Sequence, residues 1–177
     1  MPDVLSSPRR NLERKARCAD LSAAARAVEC LGARHEGVLE QTDVYFRVPK
    51  GRLKLRTMPG APPVLIWYER PDEAASRWSH YYLVPISDPT TLRSALAAAL
   101  GERGEVRKRR TLWLWHNVRI HLDEVGGLGM FVEFEAVMSA SDDEATAHAR
   151  LAELAAALGL TPADEVAGSY ADLLGFG

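Results

Sequence analysis

The chain has 177 residues, of which 47% are hydrophobic and 26% charged, and its 22 Lys and Arg against 24 Asp and Glu give a formal net charge of -2. These values are those of one globular domain with a substantial core, and we treat residues 1–177 as a single domain. The near-balance of charge argues against a nucleic-acid-binding protein that relies on bulk positive charge.

The N-terminal residues 1–9, with Pro2 and Pro8, are expected to form a flexible leader. They lack the apolar core of a signal peptide, and no apolar run is long enough to span a bilayer. Cys18 and Cys30 lie in no CxxC or Cys/His pattern, so they predict no zinc site and are interpreted as reduced thiols. The sequence therefore predicts a cytoplasmic protein with neither a membrane nor a nucleic acid as partner.

The first half of the chain alternates strands with one helix. Asp20 is a good N-cap and Gly32 a good stop for a helix over Leu21–Leu31. Pro59–Pro63 predicts a loop. The predicted strands are Arg10–Cys18, Gly37–Arg47, Arg52–Met58, Val64–Arg70 and Ser79–Pro85.

The second half repeats these signals. Asp88 and Pro89 open a helix over Thr90–Leu100 that ends at Gly101, and a third helix is predicted over Asp142–Leu158. A short closing helix is expected over Ser169–Leu174. The predicted strands are Glu105–Leu112, Leu114–Val125, which is separated from its predecessor near Trp115–Asn117, and Met130–Met138.

Eight strands with mostly short connections predict an α+β fold with a mainly antiparallel sheet. Eight is also a natural number for a closed barrel. One alternative is an open sheet with helices on one face and water on the other. If the helices instead cover the outside of a barrel, the apolar strand faces point outward and the charged faces line a hydrophilic tunnel.

The charged strand faces favour the tunnel because they are segregated by sign. Val118–Asp123 and Phe131–Glu135 alternate apolar and charged residues, which places Glu133 and Glu135 on one face about 6–7 Å apart. Such carboxylates repel each other unless water or a cation lies between them, so their removal is expected to leave the fold intact. Basic rows contain Arg52, Lys54 and Arg56, then Lys108 and Arg110, and arginine suits bidentate phosphate binding. The pattern indicates a polyphosphate site with a metal.

The residues that carry a family resemblance are spread over about 10–175. Asn11-Leu12-Glu13-Arg14-Lys15 stands where the CYTH superfamily, or triphosphate tunnel metalloenzymes, has an ExExK strand. The other matching segments are Gln41–Phe46, Gly51–Arg56, Arg119–Val125, Gly127–Glu135 and Ser169–Leu174. The final strand pair is most similar to the bacterial class IV adenylate cyclase-like branch.

The resemblance implies an eight-stranded antiparallel closed β-barrel whose tunnel binds a triphosphate with Mg²⁺ or Mn²⁺. It implies Glu13, Glu133 and Glu135 as metal ligands, and Asp123 as a further ligand or water-positioning group. It gives catalytic roles to Asp123 and Lys15. The implied phosphate-binding cations are Lys15, Arg17, Lys54, Arg56, Lys108, Arg110 and Arg119. Asn11 departs from the family motif, because its amide can coordinate a hard cation but brings no negative charge.

Some residues stay open at this stage. His121 lies on the Arg119 face and is interpreted as a structural, hydrogen-bonding histidine. Glu69, Arg70 and Arg77 are further charged candidates whose orientation the sequence does not fix.

Three functions remain. The first is a metal-dependent enzyme acting on ATP, tripolyphosphate or thiamine triphosphate, as a class IV adenylate cyclase or as a triphosphatase. The second is a non-catalytic module that binds nucleotide or polyphosphate, which Asn11 favours. The third is an unrelated small barrel with an apolar ligand, which the charged alternation opposes. A monomer and a homodimer are both compatible with the sequence.

Overall fold

The computed structural model describes residues 9–72, 76–139 and 141–176. Of the predicted leader, residues 1–8 lie outside the described residues, and Arg9 already begins the first strand. In chain order the elements are β1 (Arg9–Arg17), α1 (Leu21–Cys30), β2 (Arg34–Phe46), β3 (Arg52–Met58), β4 (Ala61–Glu69), β5 (Arg77–Pro85), α2 (Pro89–Leu100), β6 (Glu102–Trp115), β7 (Val118–Val125), β8 (Gly129–Met138), α3 (Glu144–Ala157), a 3₁₀ turn (Pro162–Asp164) and α4 (Tyr170–Leu173).

The eight strands close into a barrel in the order β1-β5-β4-β3-β2-β6-β7-β8, with β8 paired to β1. Every pairing is antiparallel. The predicted α+β barrel is confirmed, and the open-sheet alternative is excluded because the described sheet has no edge strand.

The helices cover the outside of the barrel, as the apolar strand faces require. Helices α1 and α3 bury Val28, Leu151 and Leu154 against the outer faces of β1, β7 and β8, where Ile120 and Phe134 are fully buried. A second, smaller outer core lies where α2 packs on β2 and β3. Much of the apolar strand surface is thereby buried outside the barrel, and many of the charged strand residues are left for the interior.

Two predicted boundaries are wrong for local reasons. Trp113 and Trp115 lie at the end of β6, not on β7, because the hairpin turn is His116–Asn117, where His116 has φ 51°. The predicted loop Pro59–Pro63 is a short turn around Gly60, and β4 already begins at Ala61. The prolines at 62 and 63 are tolerated there because the β3–β4 register shifts between Arg56 and Met58, so no regular ladder needs their missing N–H groups.

The C-terminal segment closes one end of the barrel. Val166 N donates to Lys15 O at 3.0 Å, and Tyr170 and Ala171 are buried beside Phe131 and Val125. The interior is therefore blocked at the end where β1 finishes and accessible from the opposite end. Within the described residues, no helix is long and apolar enough to cross a bilayer.

Candidate functional site

A cavity of about 280 Å³ occupies the barrel interior, and all eight strands contribute lining residues. The alternation of the strands brings most of the predicted side chains into it, although they are far apart in sequence. Those that line it are Glu13, Lys15, Lys54, Arg56, Lys108, Arg110, Arg119, Glu133 and Glu135.

The acidic wall is formed by β1, β7 and β8. Cross-strand register places Glu133 opposite both Lys15 and His121, and Glu135 opposite Arg119. Ligand atoms of His121, Glu133 and Glu135 all lie within 4.8 Å of one another. We call these three residues the acidic cluster.

Cations of the protein hold the carboxylates of the acidic cluster ionised. Burial raises the pKa of Glu135, but the charge of Arg119, whose Nη2 lies 2.7 Å from Oε2, outweighs it and the pKa falls to about 2. Burial also raises the pKa of Glu133, yet Lys15 at 3.2 Å, the His121 contact and Arg110 at 2.8 Å set it well below its usual range.

Glu13 behaves differently from the cluster beside it. Its burial raises the pKa, Arg70 at 2.8 Å lowers it only in part, and Glu135 and Glu133 raise it further. Glu13 is therefore the carboxyl most ready to carry a proton, and its Oε2 is already engaged by Arg70.

The donor set of the acidic cluster fits a divalent cation. Two ionised carboxylates supply hard oxygen ligands, and burial lowers the pKa of His121, which keeps its imidazole neutral and able to donate a lone pair. His121 was interpreted from the sequence as structural. Its Nδ1 does lie 3.5 Å from Glu133 Oε2, but it also belongs to this candidate metal site.

The basic wall is formed by β2, β3 and β6 and contains one acid that the sequence interpretation missed. Asp43 is only 1% exposed, and its carboxylate accepts two hydrogen bonds of 2.7 Å from Arg56. The same carboxylate lies 3.0 Å from Lys54 Nζ and 3.4 Å from Lys108 Nζ. Burial raises the pKa of Asp43, but these three cations bring it well below the usual range. Its position two residues from inward Gln41 and Tyr45 was the available signal.

The lysines on this wall lose much of their basicity. Burial lowers the pKa of Lys108 to about 7, with Arg110, Arg56 and Lys54 adding repulsion that Asp43 only partly offsets. Burial likewise lowers the pKa of Lys54 to about 8 despite Asp43. A polyanion entering the cavity would relieve this crowding of positive charge.

Comparison with known proteins identifies the family of the chain. The family model described as the CYTH domain matches residues 9–170. The chain belongs to the CYTH family. No protein with a curated description matches the chain.

Solved structures share the CYTH barrel along nearly their whole length. The PH1012 protein of Pyrococcus horikoshii has a TM-score of 0.78 at 24% identity, covering 92% of this chain and 98% of its own. A conserved hypothetical protein of Pyrococcus furiosus has a TM-score of 0.79 at 24% identity, and the match covers 92% of this chain and 99% of that protein. A candidate adenylate cyclase of Vibrio parahaemolyticus has a TM-score of 0.71 at 26% identity, and the match covers 93% of this chain and 97% of that protein.

Two predicted site residues of this CYTH barrel do not reach the cavity. Asp123 is fully buried behind Arg110, which donates to its two oxygens at 2.7 and 2.6 Å, while Tyr170 Oη donates at 2.8 Å. We therefore withdraw it as a metal ligand or catalytic group; it positions Arg110. Arg17 is exposed at the strand end, where Nη1 lies 3.4 Å from Leu128 O, outside the lining.

The structure also settles the residues left open by the sequence. Arg70 lines the cavity, with Nη1 donating to Glu13 and Nη2 to Gly168 O, both at 2.8 Å. Arg77 is buried and donates to Val166 O at 3.1 Å, so both arginines tie the C-terminal segment to the barrel. Glu69 is half-exposed and pairs with Lys50 at 3.3 Å, away from the interior.

Asn11 occupies the position of the first glutamate in the CYTH motif and is 2% exposed. With its amide nitrogen donating to Arg10 O at 3.1 Å and Tyr81 Oη at 3.2 Å, its oxygen accepts from Arg119 Nη2 at 3.0 Å. Arg119 is thereby shared between a neutral amide and Glu135. The acidic wall lacks one negative charge relative to the motif.

Proposed function

We propose that this chain is a metal-dependent enzyme that cleaves a phosphoanhydride bond of a triphosphate held inside the barrel. The observation that carries the proposal is the division of one enclosed cavity into a basic wall and an acidic cluster. An apolar-ligand barrel would not place so many charges inward, and a solvated sheet would not enclose them.

The basic wall would bind the phosphate oxygens. Arg56 and Arg110 offer paired N–H donors, and Lys54 and Lys108 add point charges. Each is held in place beforehand by a buried acid, Asp43 or Asp123, so little reorganisation is needed when the substrate enters. The C-terminal segment excludes bulk water from the closed end, which strengthens these interactions.

The acidic cluster would hold Mg²⁺ or Mn²⁺ through Glu133, Glu135 and His121. When bound, the metal would neutralise charge on phosphate oxygens as the bond breaks. Lys15 lies 3.2 Å from Glu133 Oε1, and its Nζ is 3.9 Å from the Tyr170 ring centroid. Lys15 would therefore lie beside the metal as a further cation for the phosphates.

Two reactions use this arrangement. Attack by water makes a triphosphatase, and attack by a ribose 3′-hydroxyl on the α-phosphorus makes an adenylate cyclase that releases pyrophosphate. The test is a panel of tripolyphosphate, ATP and thiamine triphosphate with Mg²⁺, Mn²⁺ or EDTA, read out for phosphate, pyrophosphate and cyclic AMP. If the chain bound a triphosphate but formed none of these products, it would be a non-catalytic binding module and not an enzyme.

Triphosphate binding in EDTA should weaken as pH rises from 7 to 9. Lys108 and Lys54, with pKa values of about 7 and about 8, lose their protons across this range, and neutral amines attract a polyanion less. Calorimetry at pH 8 in buffers of different ionisation enthalpy should show proton uptake on binding. Lys108→Arg should flatten the profile, and a flat wild-type profile would contradict the role of these lysines.

Replacing Asn11 with glutamate should tighten Mn²⁺ binding about tenfold, since a carboxylate at this position restores a charge worth about 1.4 kcal/mol beside the acidic cluster. A glutamate here would also compete for Arg119 and leave Glu135 freer to coordinate. Calorimetric titration with Mn²⁺ measures the change, and Asn11→Gln is the neutral control. Equal affinities of wild type and Asn11→Glu would show that position 11 does not act on the ion.

A further inference from the structure

One aromatic ring that belongs to no strand lies at the closed end of the cavity. Tyr170 is part of α4, is 4% exposed and lines the interior together with the strand residues. Its ring centroid lies 3.9 Å from Lys15 Nζ and 5.3 Å from Lys108 Nζ. Lys15 belongs to the acidic wall and Lys108 to the basic wall, so a single ring contacts a cation of each.

The hydroxyl group of Tyr170 fixes the direction of the ring. Its Oη donates to Asp123 Oδ2 at 2.8 Å, and the same carboxylate accepts from Arg110 at 2.7 and 2.6 Å. Burial, together with the charges of Asp123 and Glu133, raises the pKa of Tyr170 well above its usual value, so the phenol stays protonated. The ring therefore meets both lysines as a neutral π face and not as a phenolate anion.

The backbone that carries Tyr170 is tied to the barrel on both sides of the ring. Before it, Gly168 O accepts from Arg70 Nη2 at 2.8 Å, and after it Asp172 pairs with Arg52 at 2.8 Å. Arg52 begins β3 and Arg70 directly follows β4, so the barrel itself determines where the ring lies. A ring held in this way can in turn restrict two long and flexible side chains.

We propose that Tyr170 is a positioning residue for phosphate binding, whose ring holds the ammonium groups of Lys15 and Lys108 in the cavity. This inference rests on the proposed function. Cations are attracted to the face of an aromatic ring, and the attraction is stronger where water is excluded, as it is around these two buried lysines. Without the ring, each flexible lysine would be free to turn towards the acid beside it, Glu133 at 3.2 Å or Asp43 at 3.4 Å. The C-terminal segment would then supply part of the site as well as close the barrel.

The test changes the charge distribution of the ring and keeps its shape. Tyr170→Phe is the reference, and 4-fluoro-, 3,5-difluoro- and pentafluorophenylalanine are placed at the same position of the full chain by nonsense suppression. Fluorine withdraws negative charge from the ring face and so weakens its attraction for a cation. Tripolyphosphate affinity is measured by calorimetry in EDTA, where metal-dependent turnover is stopped. Pentafluorophenylalanine in place of Phe176 is the control, since that ring lies in the same C-terminal segment, edge-on to Tyr45 at 6.4 Å.

The dissociation constant should rise with each step of fluorination and reach about ten times the Tyr170→Phe value in the pentafluoro variant, as expected for weakened cation–π contacts at desolvated lysines. The control should bind like the wild type. Equal affinity throughout the series, or an equal loss in the control, would overturn the positioning role of Tyr170.

The same data separate this inference from the proposed function. Stepwise weakening would support the role of the ring even if the substrate panel showed no catalysis. A flat series in a protein whose wild type cleaves a triphosphate would remove only the role of Tyr170. A wild-type protein that neither binds nor cleaves any triphosphate would overturn both.

Discussion

Replacing Glu133 with glutamine should reduce metal-dependent turnover about a thousandfold, equivalent to roughly 4 kcal/mol of lost charge stabilisation. Glu133 is the centre of the acidic cluster, and it contacts Lys15, Arg110 and His121. Glutamine keeps the shape and one acceptor oxygen but removes the charge that would bind a cation. Initial rates over a Mn²⁺ titration, with Mn²⁺ affinity measured separately by calorimetry, give the size of the effect.

The structure changes what is expected for the stability of the Glu133→Gln variant. Removal of Glu133 was expected to relieve repulsion with Glu135, but the structure pairs it with two buried cations, which the substitution leaves without their partner. We therefore expect Glu133→Gln to be less stable to urea, while its near-ultraviolet circular dichroism remains native. Glu124→Gln is the control, because Glu124 is exposed and pairs only at the surface with Arg109. A folded Glu133→Gln protein with full activity would remove Glu133 from the metal site.

Replacing Asp43 with asparagine should lower the free energy of unfolding by about 3–5 kcal/mol, the usual cost of breaking a buried ion pair from one side. The carboxylate of Asp43 is the shared partner of Lys54, Arg56 and Lys108. Without it, three buried cations repel one another. Urea denaturation in EDTA measures the loss.

A triphosphate should restore much of that stability, because its oxygens take over the role of the missing carboxylate. Saturating tripolyphosphate should therefore raise the urea midpoint of Asp43→Asn more than that of the wild type. Asp72→Asn is the control, since Asp72 is half-exposed and pairs at the surface with Arg52. If tripolyphosphate stabilised both proteins equally, the cations around Asp43 would not be the phosphate-binding wall.

The barrel and most of its charged lining could be predicted because strand alternation fixes which side chains share a face. That alternation alone predicts the inward orientation of Glu133, Glu135, Lys54 and Arg110. Their mutual contacts could not be predicted, since the pairing of Lys15 with Glu133 requires β1 to lie beside β8, more than a hundred residues away.

Strand alternation gave a wrong prediction where the position of a residue along the barrel axis matters. Asp123 shares the inward face of β7, but at the closed end Tyr170 and Arg110 cover it, and the sequence carries no measure of position along the barrel axis. Asp43 was missed for a related reason. Its importance comes from neighbours on β3 and β6, and β6 lies about sixty residues further along the chain.

The apolar part of the cavity lining was equally hidden. Leu39, Leu83 and Leu112 look like ordinary core residues in the sequence, and only their shared level at the mouth gives them a common surface. The C-terminal segment shows no periodicity that would place it in the barrel end, and its position depends on Arg70 and Arg77 binding its carbonyl oxygens.

The most direct test of the central claim is a crystal structure of the protein with Mn²⁺ and tripolyphosphate, with the metal located by anomalous scattering. We predict an anomalous peak at Glu133, Glu135 and His121, and phosphate density against Lys54, Arg56, Lys108 and Arg110 inside the barrel. Mn²⁺ and phosphate found only on the outer surface, with the acidic cluster still paired to Lys15 and Arg119, would contradict the account.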